Sequence, residues 1–308
     1  MSGAVSTSCQ GSTIKRTGAS ARGESRRLRL LKKAGFFGSY PPGTSIIRAT
    51  SQEDLRSAYT LVHDAFVERG YIKAVDCRMR IRCFEALPET ATFVAHVKGE
   101  IAGVLSVVPD TAGFGLPADT AFKVEIDQLR KRGRRLCEGT NWVMAEKYRN
   151  TPIMTELMRC AFAHAMSEGY TDFLGTVSPG HVRFYSLLAF EPISPVRSYS
   201  KDAYDPVVVV CLSKDVVTQR VTDAGTEGDD NAFLVDYYVD SNPYHDTVQE
   251  WAVVAQGLFK DPEALAELFV QDSHFLDRCT KAERKAIKRF WGEEVYAQVV
   301  ATPVSVTA

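Results

Sequence analysis

Residues 136–190 constrain the fold more than any other part of this sequence. They contain a short apolar run with one carboxylate (Leu136–Met144), a helical apolar pattern at residues 153–166, a second strand at residues 171–177 and a second short helix. Two strands joined by one crossover helix lie parallel in the same sheet, because a right-handed crossover brings the chain back in the same direction. Ligands bind at the carboxyl ends of such strands. The sequence therefore predicts an α/β protein with its functional residues at that edge.

The composition is that of a globular protein and argues against several functions. The chain has 308 residues, and 45% of them are hydrophobic, which is enough to bury a sizeable core. A formal net charge of -1 argues against a surface devoted to nucleic acid. The seven cysteines form no CxxC or Cys/His cluster and the six histidines lack metal-ligand spacing, so we expect no metal. Scattered cysteines in apolar patterns, with no signal peptide and no apolar run of roughly 20 residues, favour a cytoplasmic protein.

The succession of polar and apolar patterns divides the chain into four parts. Residues 1–43 are predicted to be a disordered stretch followed by a basic amphipathic arm, residues 44–215 an α/β domain, residues 216–231 a linker, and residues 232–308 a helical C-terminal extension. The arm, RRLRLLKKAGFFG, either contacts an acidic protein or, transiently, an anionic membrane, or it folds over its own domain. The apolar faces of the extension either pack on the domain or join two copies as a homodimer.

Local signals place further elements inside the domain. Ser51 is predicted to cap a helix. The stretch after Gly70, YIKAVDCRMRIRCFEALPET, predicts a second helix that stops at Pro88. Apolar runs on both sides of Lys98-Gly99-Glu100 predict an antiparallel hairpin. Residues 119–132 predict another helix, and residues 205–212 predict the last strand of the sheet.

The order of these elements resembles that of the GNAT acyltransferase superfamily. In that fold two parallel strands splay apart and an acyl thioester lies in the gap between them. Four motifs carry a narrower resemblance: FVERGY at residues 66–71, GLPADTAF at 115–122, IDQLRKRGRRLCE at 126–138 and SPGHVRFYSLLAF at 178–190. As a set they resemble the N-acyl amino acid synthases of the FeeM type, which are similar to acyl-homoserine-lactone synthases. The resemblance implies a GNAT-like acyltransferase fold, in which a mixed central sheet with splayed parallel strands is flanked by helices.

One departure from the superfamily bears on the acyl donor. Acetyl-CoA enzymes carry Q/R-x-x-G-x-G/A before the crossover helix, where backbone N–H groups hold the pyrophosphate. The equivalent residues here read RNTPIM at positions 149–154, so the glycines are missing and Pro152 has no N–H to donate. We therefore expect no bound cofactor, and acyl-phosphopantetheine on acyl carrier protein as the donor rather than acyl-CoA. The basic residues predicted to bind this acidic carrier, or alternatively to form a solvated helix end, are Arg130, Lys131, Arg132, Arg134, Arg135 and Arg149.

Glu138 is the predicted general base for amide formation. Strand alternation places it on one face with Leu136 and Thr140, where burial should raise its pKa to a useful value. The alternative is a structural ion pair with a neighbouring arginine. Cys137 should point to the opposite face, which disfavours an acyl-cysteine intermediate.

Two residues after the second strand are the other catalytic candidates. Tyr185 matches the tyrosine that GNAT enzymes place near the thioester sulfur, and the resemblance implies that it protonates the departing thiolate. The alternative is a core aromatic residue. His181 could act as a second base, could bind the substrate carboxylate, or could hold the loop in place.

Substrate binding is predicted around these residues. The spacing Glu138-x-Thr140-Asn141 is similar to the E-x-S-R pattern of the homoserine-lactone synthases, but Asn replaces Arg, which argues against their substrate S-adenosylmethionine. Arg78, Arg80 and Arg82 of the predicted second helix suit the carboxylate of an amino acid, since Arg pairs bidentately, although a surface role is the alternative. The predicted set is Thr140, Asn141, Trp142, Met144, Ser178, Phe184, Arg78 and Arg82.

The main hypothesis is a cytoplasmic N-acyltransferase. It would move a medium or long fatty acyl chain from acyl carrier protein to the α-amine of an amino acid. The alternatives are a CoA-dependent N-acetyltransferase of a small amine or protein, and a non-catalytic GNAT-like module that binds lipid or a partner.

Overall fold

A mixed sheet of eight strands lies at the centre of the computed structural model, which describes residues 26–36, 38–199, 206–223 and 232–302. The strands are β1 (Thr44–Arg48), β2 (Ala91–Val97), β3 (Glu100–Pro109), β4 (Leu136–Met144), β5 (Asp172–Val177), β6 (Glu191–Pro192), β7 (Arg197–Ser198) and β8 (Pro206–Ser213). Their order is β1-β2-β3-β4-β5-β8-β6, and β7 also pairs with β8. Neighbours β4 and β5 run parallel, and the other pairs are antiparallel. The predicted crossover unit and the mixed sheet are confirmed.

The predicted hairpin is formed by β2 and β3. Val97 lies opposite Glu100, and the two residues between them, Lys98 and Gly99, have φ values of 53° and 82°. Both values are positive, as a two-residue type I′ turn requires. The turn sets the register of the two central antiparallel strands.

Helices cover both sides of the sheet. In the first part of the chain they are α1 (Arg26–Lys33), α2 (Gln52–Glu68), α3 (Asp119–Lys131), α4 (Ile153–Ser167), α5 (Val182–Leu187) and α6 (Lys214–Asp223). The Ser51 hydroxyl accepts a hydrogen bond from the Asp54 N–H and caps α2 as predicted. Helix α4 packs against β2, β3 and β4 on one side, here called the α4 face. Helices α2 and α3 lie on the other side, here called the α2 face.

The C-terminal extension is helical and packs on the sheet domain. It contains α7 (Ala232–Val235), α8 (Thr247–Leu258), α9 (Pro262–Ala266), α10 (Phe275–Arg278), α11 (Lys281–Trp291) and α12 (Glu293–Ala301), and π-helical turns continue α7 and α9. Helix α8 contacts α4 and β1, and Trp251 on α8 belongs to the apolar cluster of the α4 face. Phe269 and Trp291 belong to the cluster that contains α2. The extension therefore contributes to the core on both faces.

Helix α4 joins the sheet to the extension through buried polar groups. Glu156 is 1% exposed and its carboxylate accepts hydrogen bonds from Arg159 at 3.0 Å, from the Tyr244 hydroxyl at 3.0 Å and from the Tyr237 hydroxyl at 3.3 Å. Arg159 Nε also donates to the backbone carbonyl of Tyr237 at 2.9 Å, and Asn242 donates to the carbonyl of Arg159 at 3.1 Å. The charges on α4 are thus satisfied largely by the C-terminal residues that cover them.

The predicted second helix before Pro88 is wrong. Residues 71–90 form turns and irregular backbone, in which Met79 and Ile81 are buried and Arg78 is exposed. The sequence CRMRIRC alternates every second residue, which is the period of an extended chain and not of a helix. A backbone hydrogen bond from the Arg80 N–H to the Tyr59 carbonyl, at 3.1 Å, attaches this segment to α2.

The described part of the N-terminal arm folds over the domain. Leu31 is 0% exposed and Phe36 is 2% exposed, and both join the apolar cluster of the α4 face. The predicted disordered stretch before residue 26 lies outside the described residues. Helix α6 covers residues 216–223 of the predicted linker, and residues 224–231 also lie outside them. Among the helices of the described segments, none has the length and apolar character needed to cross a membrane.

If the extension is part of the core, removing Phe269 should destabilise the whole protein. Its ring is 0% exposed and lies 5.4 Å from the ring of Trp291. We expect Phe269→Ala to lower the free energy of unfolding by about 3–5 kcal/mol in urea titrations. The control Val253→Ala, at a side chain that is 73% exposed on α8, should change it by less than about 0.5 kcal/mol. The account would be contradicted if the extension of Phe269→Ala unfolded in a separate early transition and the sheet domain then unfolded at the same urea concentration as in the unsubstituted protein.

Candidate active site

A β-bulge in β4 organises the site. Asn141 and Trp142 together lie opposite the single residue Leu105 of β3, and Asn141 has a φ of 55°. The extra residue reverses the alternation of side chains, so that Thr140 and Asn141 both face α2 while Trp142 packs into the cluster of the α4 face. Bulges commonly redirect side chains next to active sites. Here the bulge separates polar residues on one face from aromatic residues on the other.

Strands β4 and β5 separate immediately beside the bulge. Their pairing runs from Leu136 opposite Asp172 to Gly139 opposite Gly175, and it stops there. The rest of β4 continues to pair with β3, while β5 continues to pair with β8 through Val177. The splayed gap that the resemblance implies is therefore present. On the α4 face it is lined by Trp142.

Glu138 lies on the α2 face, one residue before the last pair of the β4–β5 ladder, and is 1% exposed. One carboxylate oxygen accepts a hydrogen bond from the backbone N–H of Ala118 and the other accepts one from the Thr176 hydroxyl, both at 2.8 Å. Burial raises the pKa of Glu138 to about 7, against the opposing effect of these hydrogen bonds and of Arg82. The alternative of an ion pair with a neighbouring arginine is not what the structure has, since Arg134 pairs with Asp172 and Asp215.

The loop before α3 holds Glu138 in place. It carries the GLPADTAF motif, and the backbone N–H of Leu116 donates to the Asp119 carboxylate at 2.8 Å. Pro117 follows without an N–H, and the N–H of Ala118 donates to Glu138. Two motifs that are distant in sequence, the loop and the carboxylate of β4, thus form one unit.

Two arginines and a second carboxylate surround the bulge on the α2 face. Arg80 Nη1 donates to the Asn141 side-chain oxygen at 2.6 Å, and the Asn141 nitrogen donates to Glu85 at 2.9 Å. Arg82 donates to Glu85 at 2.6 Å and to the Thr140 hydroxyl at 3.3 Å. Burial tends to raise the pKa of Glu85, but Arg82, Arg80 and Asn141 together hold it below its ordinary value. Two guanidinium groups therefore surround a carboxylate whose pKa is lowered, beside the bulge on the α2 face.

Aromatic residues fill the other side of the gap. The rings of Trp142 and Tyr185 meet edge to face with centroids 5.8 Å apart, and Tyr185 packs in the same way on Phe184 and Phe190. Burial raises the pKa of Tyr185 above its ordinary value, so the hydroxyl keeps its proton. The indole Nε1 of Trp142 is buried and has no hydrogen-bond partner among the described residues. A buried donor of this kind is uncommon away from functional sites.

The remaining predicted binding residues are scattered. His181 is exposed and its Nδ1 lies 2.9 Å from the Ser178 hydroxyl, a contact that stabilises the loop after β5. Met144 is buried in the core of the α4 face, with its sulfur against Gly103. Arg78 is exposed and pairs with Asp64, so it lies apart from Arg80 and Arg82.

The basic residues predicted to bind a carrier do not form one surface. Arg130 is engaged by Asp110, Asp119 and Asp127, and Arg134 also forms internal ion pairs. The exposed residues Lys131, Arg132 and Arg135 precede β4, whereas Arg149 follows it. Because β4 has nine residues, roughly 30 Å separates its two ends.

Several residues of the site were absent from the predicted set. Glu85 belongs to the segment that was predicted to be helical. Arg80 was expected, with Arg78 and Arg82, to suit a carboxylate, but the predicted set named only Arg78 and Arg82. Thr176 could have been predicted from the parallel register of β4 and β5. Glu138 lies opposite Leu174, and the side chain of Thr176, two positions further along β5, lies on the same face as that of Leu174. The others are Ser106, which accepts from Asn141, and Tyr199, whose hydroxyl donates to the Pro117 carbonyl.

The family model of the N-acyl amino acid synthase FeeM matches residues 57–213, a little more than half of the chain. The chain belongs to the FeeM family of N-acyl amino acid synthases. It is accordingly an acyltransferase that acylates an amine. The match includes β2 to β8 and the whole of the site described above, and it ends before the C-terminal extension.

The structure of FeeM, an N-acyl amino acid synthase from uncultured soil microbes, has the same fold. It is 22% identical to this chain, with a TM-score of 0.52, and the similarity covers 59% of this chain and 96% of that one. Two acyl-homoserine-lactone synthases are more distant. LasI is 14% identical, with a TM-score of 0.42, and the similarity covers 55% of this chain and 88% of that one. BjaI, a CoA-dependent enzyme, is 13% identical, with a TM-score of 0.42, and the similarity covers 68% of this chain and 100% of that one. No curated protein matches the sequence.

The raised pKa of Glu138 predicts a specific pH dependence of stability. Folding raises this pKa from its ordinary value of 4.5 to about 7, so the folded state holds the proton more tightly than the unfolded state. The resulting stabilisation of the folded state is complete below pH 4.5 and is lost as the pH rises through about 7. Relative to Glu138→Gln, the free energy of unfolding of the unsubstituted protein should fall by about 3 kcal/mol between pH 4.5 and pH 8.

Urea titrations of both proteins across this range measure the difference. The matched control is Glu146→Gln, which removes an exposed carboxylate just beyond β4 and should leave the pH dependence unchanged. If the free energy of unfolding changed equally with pH in Glu138→Gln and in the unsubstituted protein, the Glu138 carboxylate would not be desolvated.

Proposed function

We propose that this enzyme transfers a medium or long fatty acyl chain from acyl carrier protein to the α-amine of an amino acid. The observation that carries the proposal is the position of Glu138. It is a buried carboxylate with a pKa of about 7, next to the gap between β4 and β5 and beside two arginines. Family membership provides the acyl transfer, and the arrangement of charges favours an amine acceptor that also bears a carboxylate.

The α2 face supports an amino-acid acceptor. Arg80 and Arg82 lie beside the bulge on this face, and guanidinium groups pair well with carboxylates, so they suit the carboxylate of an amino acid. Its ammonium group would then face Glu138. At neutral pH a large share of Glu138 is ionised, and a base with this pKa can take a proton from the ammonium group.

The α4 face supports an acyl thioester as the second substrate. Apolar and aromatic side chains surround the gap on this face and suit an acyl chain, and the Nε1–H of Trp142, which has no partner among the described residues, is a donor for a carbonyl of the pantetheine arm. The free amine attacks the thioester carbon. Backbone N–H groups of residues 142–144, in the role that the fold resemblance implies, stabilise the oxyanion, since that of Ala145 donates to the Ala102 carbonyl at 2.9 Å. The C–S bond breaks, the hydroxyl of Tyr185 donates its proton to the thiolate sulfur, and the new amide loses its extra proton to solvent.

The turn before α4 supports a carrier protein as donor. Pro152 donates no N–H to a pyrophosphate. The chain after α1 lies against this turn, and a Cβ built on Gly38 would come within 2.8 Å of the Pro152 ring. Arg26 and Arg29 of α1 are exposed and suit an acidic carrier, whereas Arg149 pairs with Glu68.

Product analysis tests the reaction. Purified enzyme is incubated with dodecanoyl and hexadecanoyl acyl carrier protein and with each of the standard amino acids in turn, and the products are analysed by mass spectrometry. We expect N-acyl amino acid from one amino acid or a small group, and little or none with acetyl-CoA. Folded enzyme that yields no such product from any carrier-bound donor, or that prefers acetyl-CoA, would overturn the proposal.

The base is tested by substitution. Glu138→Gln should lower kcat by about 100-fold to 10,000-fold. In the unsubstituted enzyme kcat/KM should rise with pH to a plateau above an apparent pKa near 7, since the carboxylate is the active form. Tyr185→Phe should cost less, because a thiolate leaves readily without a proton. Glu146→Gln is again the control, and equal activity of Glu138→Gln and this control would exclude Glu138 as the base.

The donor surface is tested by charge reversal. Replacing Arg26 and Arg29 by Glu should raise KM for acyl carrier protein severalfold, because attraction between opposite charges is replaced by repulsion. KM for a short acyl-pantetheine thioester, which lacks the carrier, should not change. The matched control reverses Lys131 and Arg132 at the other end of β4. An effect confined to that control would place the carrier at the opposite edge of the sheet.

A further inference from the structure

A second cavity lies far from the gap between β4 and β5. It has a volume of about 310 Å³ and is enclosed by the end of β1, the end of α4 and the C-terminal helices α8 and α11. It therefore lies on the α4 face beside β1, and β1 is three strands away from β4, roughly 14 Å across the sheet. Small-molecule sites in proteins occupy about 300–1,000 Å³, so the volume suits a compact ligand.

Arg48, the last residue of β1, provides a buried cation in this cavity. It is 5% exposed. Within the described chain its guanidinium makes one hydrogen bond, from Nη2 to the Thr90 carbonyl, at a long distance of 3.4 Å. A guanidinium has five N–H donors, and a buried cation normally has an anionic partner. The carboxylates that line the cavity belong to Glu89 and Glu168, which are both exposed at its mouth.

His164, near the end of α4, lines the same cavity. It is 2% exposed, its ring packs edge to face on Phe93, and its Nε2 is buried without a hydrogen-bond partner among the residues that the structure describes. Burial, with the nearby charge of Arg48, lowers the pKa of His164 to about 3. The ring is therefore neutral at physiological pH, and in the Nε2–H tautomer it is a donor that points at no acceptor of its own.

The other walls indicate what kind of molecule would fit. Phe259 and Trp291 are buried, and with Ala252 and Phe290 they give the cavity an apolar lining. Among the buried lining residues one cation, Arg48, and one neutral donor, His164, match a single carboxylate, while Lys260, Gln256, Glu89 and Glu168 are exposed. A phosphate dianion demands more donors than these two buried groups provide.

We propose that this cavity is a binding site for a small monocarboxylate with a compact apolar or aromatic body. The carboxylate lies between the guanidinium of Arg48 and the Nε2–H of His164, and the body of the ligand packs on Phe259 and Trp291. The site is separate from the acyl-transfer site. Arg48 and both C-terminal helices lie outside residues 57–213, whereas His164 lies inside, so the cavity forms where the part that matches the family meets the rest of this chain.

Sodium benzoate is the probe, and benzamide, which has nearly the same shape without the charge, is its control. Isothermal titration calorimetry of the full chain, without acyl donor or amine, should show one site for benzoate and none for benzamide. In protein labelled with ¹⁵N-histidine, benzoate should shift the Nε2 resonance of His164. No heat together with no shift would overturn the proposal, and it would leave the acyl-transfer chemistry untouched.

Two substitutions locate the site. Arg48→Met should abolish benzoate binding without lowering the melting temperature, because it replaces a poorly paired buried charge by an apolar side chain of similar length. The matched control Arg132→Met, at an exposed arginine beyond α3, should bind benzoate as the unsubstituted protein does. Binding that survives Arg48→Met would overturn the proposal. If Arg48→Met fails to fold, the resonance of His164 in the unsubstituted protein decides the matter.

Discussion

The site depends on the buried side chain of Asn141. A left-handed backbone conformation at a residue other than glycine costs roughly 1–3 kcal/mol and persists only where its surroundings fix it. Here the amide accepts from Arg80, donates to Glu85 and lies within 3.4 Å of the Ser106 hydroxyl, so it joins β4 to β3 and to the irregular segment before β2. Without these bonds β4 would return to regular alternation, and Trp142 would turn to the polar face.

The two faces of the sheet carry different parts of the chemistry because of this bulge. Charged and hydroxyl groups gather on the α2 face, and aromatic rings gather on the α4 face. Between them lies the last ladder pair, Gly139 and Gly175, where a Cβ at Gly139 would come within 3.0 Å of the Phe173 ring. In the proposed reaction the amine and its base approach from one side and the thioester from the other, and they meet where the strands separate.

Much of the fold follows from local signals in the sequence. The apolar runs of the crossover unit, the Ser51 cap and the hairpin turn specify structure through neighbouring residues, and each is present as predicted. The segment at residues 71–90 was predicted to be a helix, although its apolar residues alternate every second position, as in an extended chain. Glu85 of this segment was therefore not expected at the site, and Arg78 was expected there with Arg80 and Arg82 although it lies apart from them.

The site itself was only partly predictable. Glu138 could be found because a carboxylate inside an apolar strand is unusual. The bulge could not be found, since one extra residue in β4 leaves no mark on the hydrophobic pattern, and it determines which way Asn141 and Trp142 face. The Ala118 N–H that holds Glu138 is also set by tertiary structure, as is the separation of the basic residues at the two ends of β4.

The polar groups of α4 tie the acyltransferase domain to the C-terminal extension. Glu156 and Arg159 lie on a helix of the acyltransferase domain, but their partners Tyr237, Tyr244 and Asn242 belong to the extension. If the chain were cut between the domain and the extension, the ion pair of Glu156 and Arg159 would lose these hydrogen-bond partners. A broad apolar surface of α4 would also be exposed to water. The boundary of the family and the boundary of the autonomous folding unit therefore differ, and the extension is as much a part of the enzyme's interior as the sheet.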